Sequence, residues 1–247
     1  QPSVAAAPVR WQAAGIVAAA LCMTAYNLAF FAGVRATGVA VGTAIALGSG
    51  PVWAGLLQAL LSRGAPRGAW WAGTALAVGG GALMVAGPGT ASAVDGPGIA
   101  LCLAAGLSYA VYALLNQRLV AHAAPGTVTG AVFALAAAIA LPLAWALAGP
   151  MALDGADGAA GTARSVAVLV WLGVAATGVA YLCFSHALRH IPAATGVTLA
   201  LAEPLTAFVL ALLVVGERPG ASAFVGLLAL VAGLGVVIRA EVRGASR

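Results

Sequence analysis

The sequence predicts an all-α fold, a polytopic bundle of transmembrane helices, and three observations predict it. The chain is 63% hydrophobic and 7% charged, against roughly 45–50% and about 25% in soluble domains. Its apolar residues gather into eight runs, most of them near the roughly 20 residues that carry a helix across about 30 Å of hydrocarbon. The runs lack the period-two alternation of barrel strands, and a helix is the other structure that satisfies its own backbone in lipid. A soluble chain with six acids and eleven bases would have too little polar surface to cover such a core.

In order, the runs fall at 13–33, 39–61, 69–87, 98–117, 128–148, 166–188, 194–215 and 221–238, bounded by Gly, Pro and Arg. The first could pass for a signal peptide, but no small-residue cleavage site follows it and seven more runs do. Stretches 86–97 and 149–165 have no apolar periodicity and read as surface linkers. Ala, Val, Leu and Gly supply most of the apolar mass, which suits close helix–helix contact. Cys22, Cys102 and Cys183 each lie inside an apolar run without C-x-x-C spacing, so they read as small packing residues.

All eleven basic residues are arginines. They are scattered singly between runs and make no basic patch, which argues against nucleic acid as a partner. Their placement orients the chain instead. With a cytoplasmic N-terminus, Arg10, Arg63, Arg67, Arg118, Arg189, Arg239, Arg243 and Arg247 lie inside, and Arg35, Arg164 and Arg218 outside. Asp95, Asp154, Asp157 and Glu217 then also fall outside. The expectation is a multi-pass plasma (inner) membrane protein, monomeric, with both termini cytoplasmic and the lipid bilayer as its solvent.

Shifting the chain by 153 residues brings Thr24 onto Thr177, Phe31 onto Phe184, Pro51 onto Pro204, Pro66 onto Pro219, Gly73 onto Gly226 and Gly80 onto Gly233. Proline and glycine fix backbone geometry, so their coincidence marks an internal repeat. The runs at 98–117 and 128–148 have no partners in the first copy, which predicts two further apolar runs upstream of Gln1. Residues 1–90 are then a first repeat lacking its first two helices, and 98–240 the second repeat. Restored, the architecture has ten helices, eight of them in this chain. Five helices per copy invert one copy relative to the other, as in many secondary transporters.

The stretch from Ala180 to Ile238 resembles the EamA family of the drug/metabolite transporter superfamily. The residues that carry the likeness are Ala180-Tyr181, Ala202-Glu203-Pro204, Gly216-Glu217-Arg218, Gly226 and Gly233. The likeness is specific over 166–238 and looser over 13–87, where Gly50-Pro51 and Arg63-Gly64 stand in place of Glu-Pro and Gly-Glu. It implies two inverted five-helix repeats, cytoplasmic termini and transport of small metabolites, often outward.

Glu203 is the sole acid inside an expected span, near the middle of 194–215. A charge at a helix centre costs roughly 3 kcal/mol on insertion scales. Two roles stay open for it: a group that couples transport to protons, or a neutral acid hydrogen-bonded between helices. Pro51 and Pro204 each interrupt a run near its centre, and Gly48 and Gly50 loosen the first further. Paired breaks in two halves point to a transport site, and static kinks are the other reading. Ser108, Tyr112 and Asn116 share a helix face with Tyr109 beside it; Thr177, Tyr181 and Ser185 make a second stripe, and Thr24, Asn27 and Phe31 a third. Asn27, Tyr109, Tyr112, Asn116, Tyr181, Ser185, His186 and Glu203 are the expected cavity residues, with dry hydrogen bonding as the competing role. His186 and His190 have metal spacing but no third ligand, so no metal site is expected. Gly73, Gly80, Gly226 and Gly233 lie in pairs seven residues apart and read as close-packing surfaces.

The sequence holds no G-x-x-x-x-G-K-[ST], no Ser–His–Asp set and no acidic metal cluster. No cofactor is expected, and the chain does not read as an enzyme. The leading reading is a secondary transporter that exports a small metabolite or amphipathic compound by alternating access, with protons as a candidate coupling ion. A lipid-modifying membrane enzyme and a non-transporting membrane subunit are the alternatives.

Overall fold

The computed structural model describes residues 9–61, 65–85, 96–148, 158–215 and 220–245. Among these residues the chain forms eight helical runs and no strand. The first five are α1 (Val9–Thr37), α2 (Val39–Leu61), α3 (Gly68–Val85), α4 (Gly96–Val120) and α5 (Pro125–Ala148). The sixth joins α6 (Gly158–Trp171), a π-helical stretch over Leu172–Val179, and α7 (Ala180–Ala187). The seventh joins α8 (Ala193–Leu199), α9 (Ala202–Leu210) and a π-helical stretch over Ala211–Val215. The last is α10 (Ala221–Ala245). Gly38 separates α1 from α2 with φ 85°, a left-handed conformation that a side chain would strain.

The protein is a polytopic helical bundle, with its helices where the apolar runs placed them. Seven of the runs contain segments long and apolar enough to cross a membrane; α3, at 18 residues, falls outside that set. Pro219, Arg63-Gly64, Gly216-Glu217-Arg218, Arg247 and the acids Asp95, Asp154 and Asp157 lie outside the described residues, with most of both linkers.

The chain divides into two compact units, Gln1–Thr24 with Leu115–His190, and Ala25–Leu114 with Ile191–Arg247. These units interleave along the sequence and do not follow the order of its repeat. In the first, Ala19, Ala20, Met23, Leu119, Val120, Val128, Val132 and Leu188 are buried. Gly15 sits where a Cβ would lie 2.9 Å from Leu119 Cδ2. Along α6, Val166, Val168, Leu169, Val170 and Trp171 are exposed, the surface a lipid-facing helix offers.

In the second unit α3 and α10 pack backbone against backbone. A Cβ on Gly73 would lie 2.9 Å from the Gly233 carbonyl oxygen, and one on Gly80 would lie 2.6 Å from that of Gly226. Gly226 and Gly233 face the Gly80 and Gly73 carbonyl oxygens in return, each at 2.6 Å. Gly73 therefore meets Gly233 and Gly80 meets Gly226, so the helices run antiparallel. The repeat shift turns each of these contacts into the other. The close-packing reading of the four glycines holds.

Around this crossing lies a core of Ala77, Leu201, Leu230 and Leu234, with Leu47, Val78 and Leu205 against it. A second core holds Ala46, Cys102 and Ala105, flanked by Tyr26 and Phe30. Gly106 of α4 packs directly on α2, where its Cβ would meet Ser49 Oγ and lie 2.8 Å from the Ala46 carbonyl oxygen.

Candidate functional site

Within the second unit, the seventh helical run is broken two residues before Glu203. α8 ends at Leu199, Ala200 and Leu201 form a turn, and α9 begins at Ala202. The turn tightens to three-residue hydrogen bonds, from Leu201 N–H to Thr198 O at 3.1 Å and from Glu203 N–H to Ala200 O at 3.0 Å. Pro204 explains the position. A proline ring collides with the carbonyl four residues before it, here Ala200, and that is where the α-helical ladder stops. Pro204 itself sits in the first turn of α9, where a missing N–H costs nothing. Glu203 thus stands at the head of a half-helix. Its side chain is exposed.

The matching break expected at Gly48, Gly50 and Pro51 does not form. α2 runs without interruption from Val39 to Leu61 with Pro51 inside it. Pro142 likewise stays inside an uninterrupted α5, so a proline in an apolar run does not by itself end the helix. Gly48 serves close approach, since a Cβ there would lie 2.9 Å from Val78 Cγ1 of α3. A Cβ on Gly50 would come into ordinary contact with Val197, Tyr109 and Gly106, at 3.5–3.9 Å. The two copies are unequal at this point.

An aromatic face accompanies Glu203 in the same unit. Tyr26 of α1 lies against Tyr109 of α4, ring centroids 5.4 Å apart, and Tyr109 stacks on Tyr112 at 6.2 Å. Phe30 extends the row beyond Tyr26 at 5.8 Å. The Glu203 carboxylate is within electrostatic reach of both Tyr26 and Tyr109. Tyr109 is half-buried, Tyr112 is fully buried and Asn27 is exposed on α1. Four sequence-predicted groups, Glu203, Pro204, Tyr109 and Tyr112, therefore fall within this one unit.

Asn116, Ser185, Tyr181 and His186 belong to the other unit. Ser185 is fully buried and its Oγ accepts two hydrogen bonds, from Asn116 Nδ2 at 2.9 Å and from Thr129 Oγ1 at 2.8 Å. The three polar groups hold α4, α5 and α7 together. Tyr181, half-buried, packs on Phe133 at 4.7 Å and on Phe184 at 6.3 Å. His186 is exposed, with Nδ1 3.1 Å from the Leu182 carbonyl oxygen. Thr177 lies inside the π-helical stretch, whose wider turn takes it out of the α-helical register of Tyr181 and Ser185.

Sequence reasoning missed Tyr26, Phe30, Phe133 and Thr129. Tyr26 is the instructive case: it lies between Thr24 and Asn27 and off their stripe. The signal available was its type, since the chain has only four tyrosines and the other three were all selected.

Known proteins agree with this architecture. The model of the EamA-like transporter family matches residues 96–239. The "Uncharacterized transporter YwfM" of Bacillus subtilis (strain 168) is 36% identical over 219 residues, 89% of this chain and 71% of the relative. A structure described as "Crystal structure of protein" superposes with a TM-score of 0.75 at 19% identity, over 92% of this chain and 77% of its own; it supports the fold alone.

Proposed function

The chain belongs to the EamA-like transporter family, and from that premise we propose that it is a secondary carrier exporting a small metabolite or amphipathic compound by alternating access. The observation that carries this reading is Glu203 at the head of α9, directly after the gap in a membrane-spanning run. Half-helix termini at mid-membrane are how secondary transporters hold polar substrate groups and coupling ions. The Tyr26–Tyr109–Tyr112 face beside it offers aromatic surface with hydroxyl groups, suited to an amphipathic molecule. The antiparallel glycine crossing supports alternating access, because it relates the two copies as rocking halves must be related. The carrier sits in the inner membrane as a monomer with cytoplasmic termini, as the arginine asymmetry supports.

In this reading Glu203 is the coupling group, taking up and releasing a proton as the site alternates. Gln keeps the shape and hydrogen-bonding capacity of a protonated Glu and cannot titrate. The test loads inside-out vesicles with a pH gradient and screens candidate metabolites on wild type, Glu203→Gln and Glu203→Leu. The expected result is gradient-driven accumulation by wild type, lost in Glu203→Gln while exchange at equal pH survives. Wild-type coupling in Glu203→Gln, with reduced abundance of Glu203→Leu, makes Glu203 a structural hydrogen-bonding group instead. Absence of any translocation by wild type across a broad screen defeats the carrier reading itself.

A further inference from the structure

The second unit holds a cavity of about 310 Å³ lined by Arg67, Ala69, Val236, Arg239, Ala240 and Arg243. Three of its six lining residues are arginines, in a chain that is 7% charged. Arg239 and Arg243 are one turn apart on α10 and so project from one face. Arg67 comes from the other helix of the glycine crossing, at the entrance to α3, where its carbonyl accepts the Trp70 N–H at 2.9 Å and the Trp71 N–H at 3.2 Å. Among the described residues no acid lines the cavity.

We infer that this cavity is a binding site for the headgroup of an anionic phospholipid. Two features select a lipid over a soluble anion. The wall between the arginines is apolar and small, from Ala69, Val236 and Ala240, and Ala69 is exposed. An acyl chain has somewhere to lie and free phosphate has no use for that surface. The cavity also sits at the membrane boundary. Arg239 and Arg243 fall in the last turns of the apolar span Ala221–Arg243, and Arg67 stands directly before α3. Basic pockets between helices at that level suit phosphodiester groups, and arginine forms paired bonds to phosphate oxygens that lysine cannot. Because α3 and α10 both contribute, a bound headgroup would bridge the two halves of the repeat. The inference rests on the membrane fold and not on transport.

The experiment uses the full chain, purified in detergent and mixed with equimolar phosphatidylglycerol and phosphatidylcholine of the same acyl composition, with retained lipid counted by native mass spectrometry. The expected result is a preference for phosphatidylglycerol that falls roughly fivefold for each arginine removed, in Arg243→Gln and further in Arg239→Gln/Arg243→Gln. Arg35→Gln, outside the cavity, should leave the preference at the wild-type value. Should the double variant fail to fold, the single exposed Arg243→Gln carries the test. Equal retention of the two lipids by wild type overturns the inference. So does an equal loss in Arg35→Gln, which would mean that net charge alone acts. Displacement of phosphatidylglycerol by equimolar glycerol phosphate would assign the cavity to a soluble anion instead and refute the lipid assignment.

Discussion

Gly80 and its neighbour Gly79 offer a direct measure of what the crossing of α3 and α10 contributes. Both lie inside α3, one residue apart. An alanine at Gly79 would put its Cβ into open space, with nothing within 4 Å. At Gly80 the same atom would strike Leu230 N, lie 2.6 Å from the Gly226 carbonyl oxygen and 3.0 Å from Ala229 C. Ordinary contact begins near 3.4 Å, so the helices must part by about 0.8 Å there. A gap of that size forfeits a quarter to a half of each affected dispersion contact, about 1 kcal/mol over roughly 20 atom pairs. The directly overpacked position costs typically 1–3 kcal/mol in all, offset by up to ~1 kcal/mol of helix propensity gained over glycine. Gly80→Ala should therefore lose about 1–2 kcal/mol and Gly79→Ala gain up to about 1. The gap of about 1–3 kcal/mol is roughly a 5- to 150-fold difference in unfolding equilibrium. Reversible unfolding in mixed micelles, followed by tryptophan fluorescence, reads both variants against wild type. Equal stability of the two alanine variants would refute the backbone-contact account of this interface.

Three further outcomes follow from particular residues. Ser185→Ala removes the acceptor shared by Asn116 and Thr129, leaving buried donors unmatched; melting in detergent should show a loss of roughly 1–3 kcal/mol. Pro204→Ala removes the ring that ends the ladder at Ala200, so transport should fall at unchanged membrane abundance; Pro51→Ala, in an uninterrupted helix, should leave transport near wild type, and equal effects would contradict the asymmetry of the two copies. In a background with Cys22, Cys102 and Cys183 replaced, a reporter cysteine at Gly96 should label from outside intact cells and one at Gly68 only after permeabilisation; labelling of both from one side would sink the topology.

The helices were legible because each had to satisfy two independent demands, an apolar length and a bounding glycine, proline or arginine. The glycine crossing was legible for a similar reason: four glycines in matched registers have few uses besides close approach. The fate of the two prolines was not. Pro51 and Pro204 look alike in the sequence, and the residue before each does not separate them, since Leu141-Pro142 also stays inside an intact helix; α2 is instead accompanied by the α4 backbone packed on it. The polar stripes were legible as stripes only. Ser108, Tyr112 and Asn116 share a face of α4, yet Tyr112 and Asn116 belong to different compact units, because the boundary between the units falls inside α4, between Leu114 and Leu115. The π-helical stretch at Leu172–Val179 has no clear marker in composition, and it shifts Thr177 out of a register that simple periodicity assigns to it.

The crossing of α3 and α10 also dictates which substitutions should speak to one another. Gly73 and Gly226 are counterparts in the repeat but never meet; each touches a different partner, at opposite ends of the crossing. Gly73 and Gly233 are not counterparts, yet they share one contact. Alanines at Gly73 and Gly233 should accordingly be strongly non-additive, since the first wedge already opens the space that the second would fill. Alanines at Gly73 and Gly226 should combine nearly independently. Kinship by duplication and energetic kinship therefore run along different pairings of the same four residues, and an alignment of the two halves would pick out the wrong pairs.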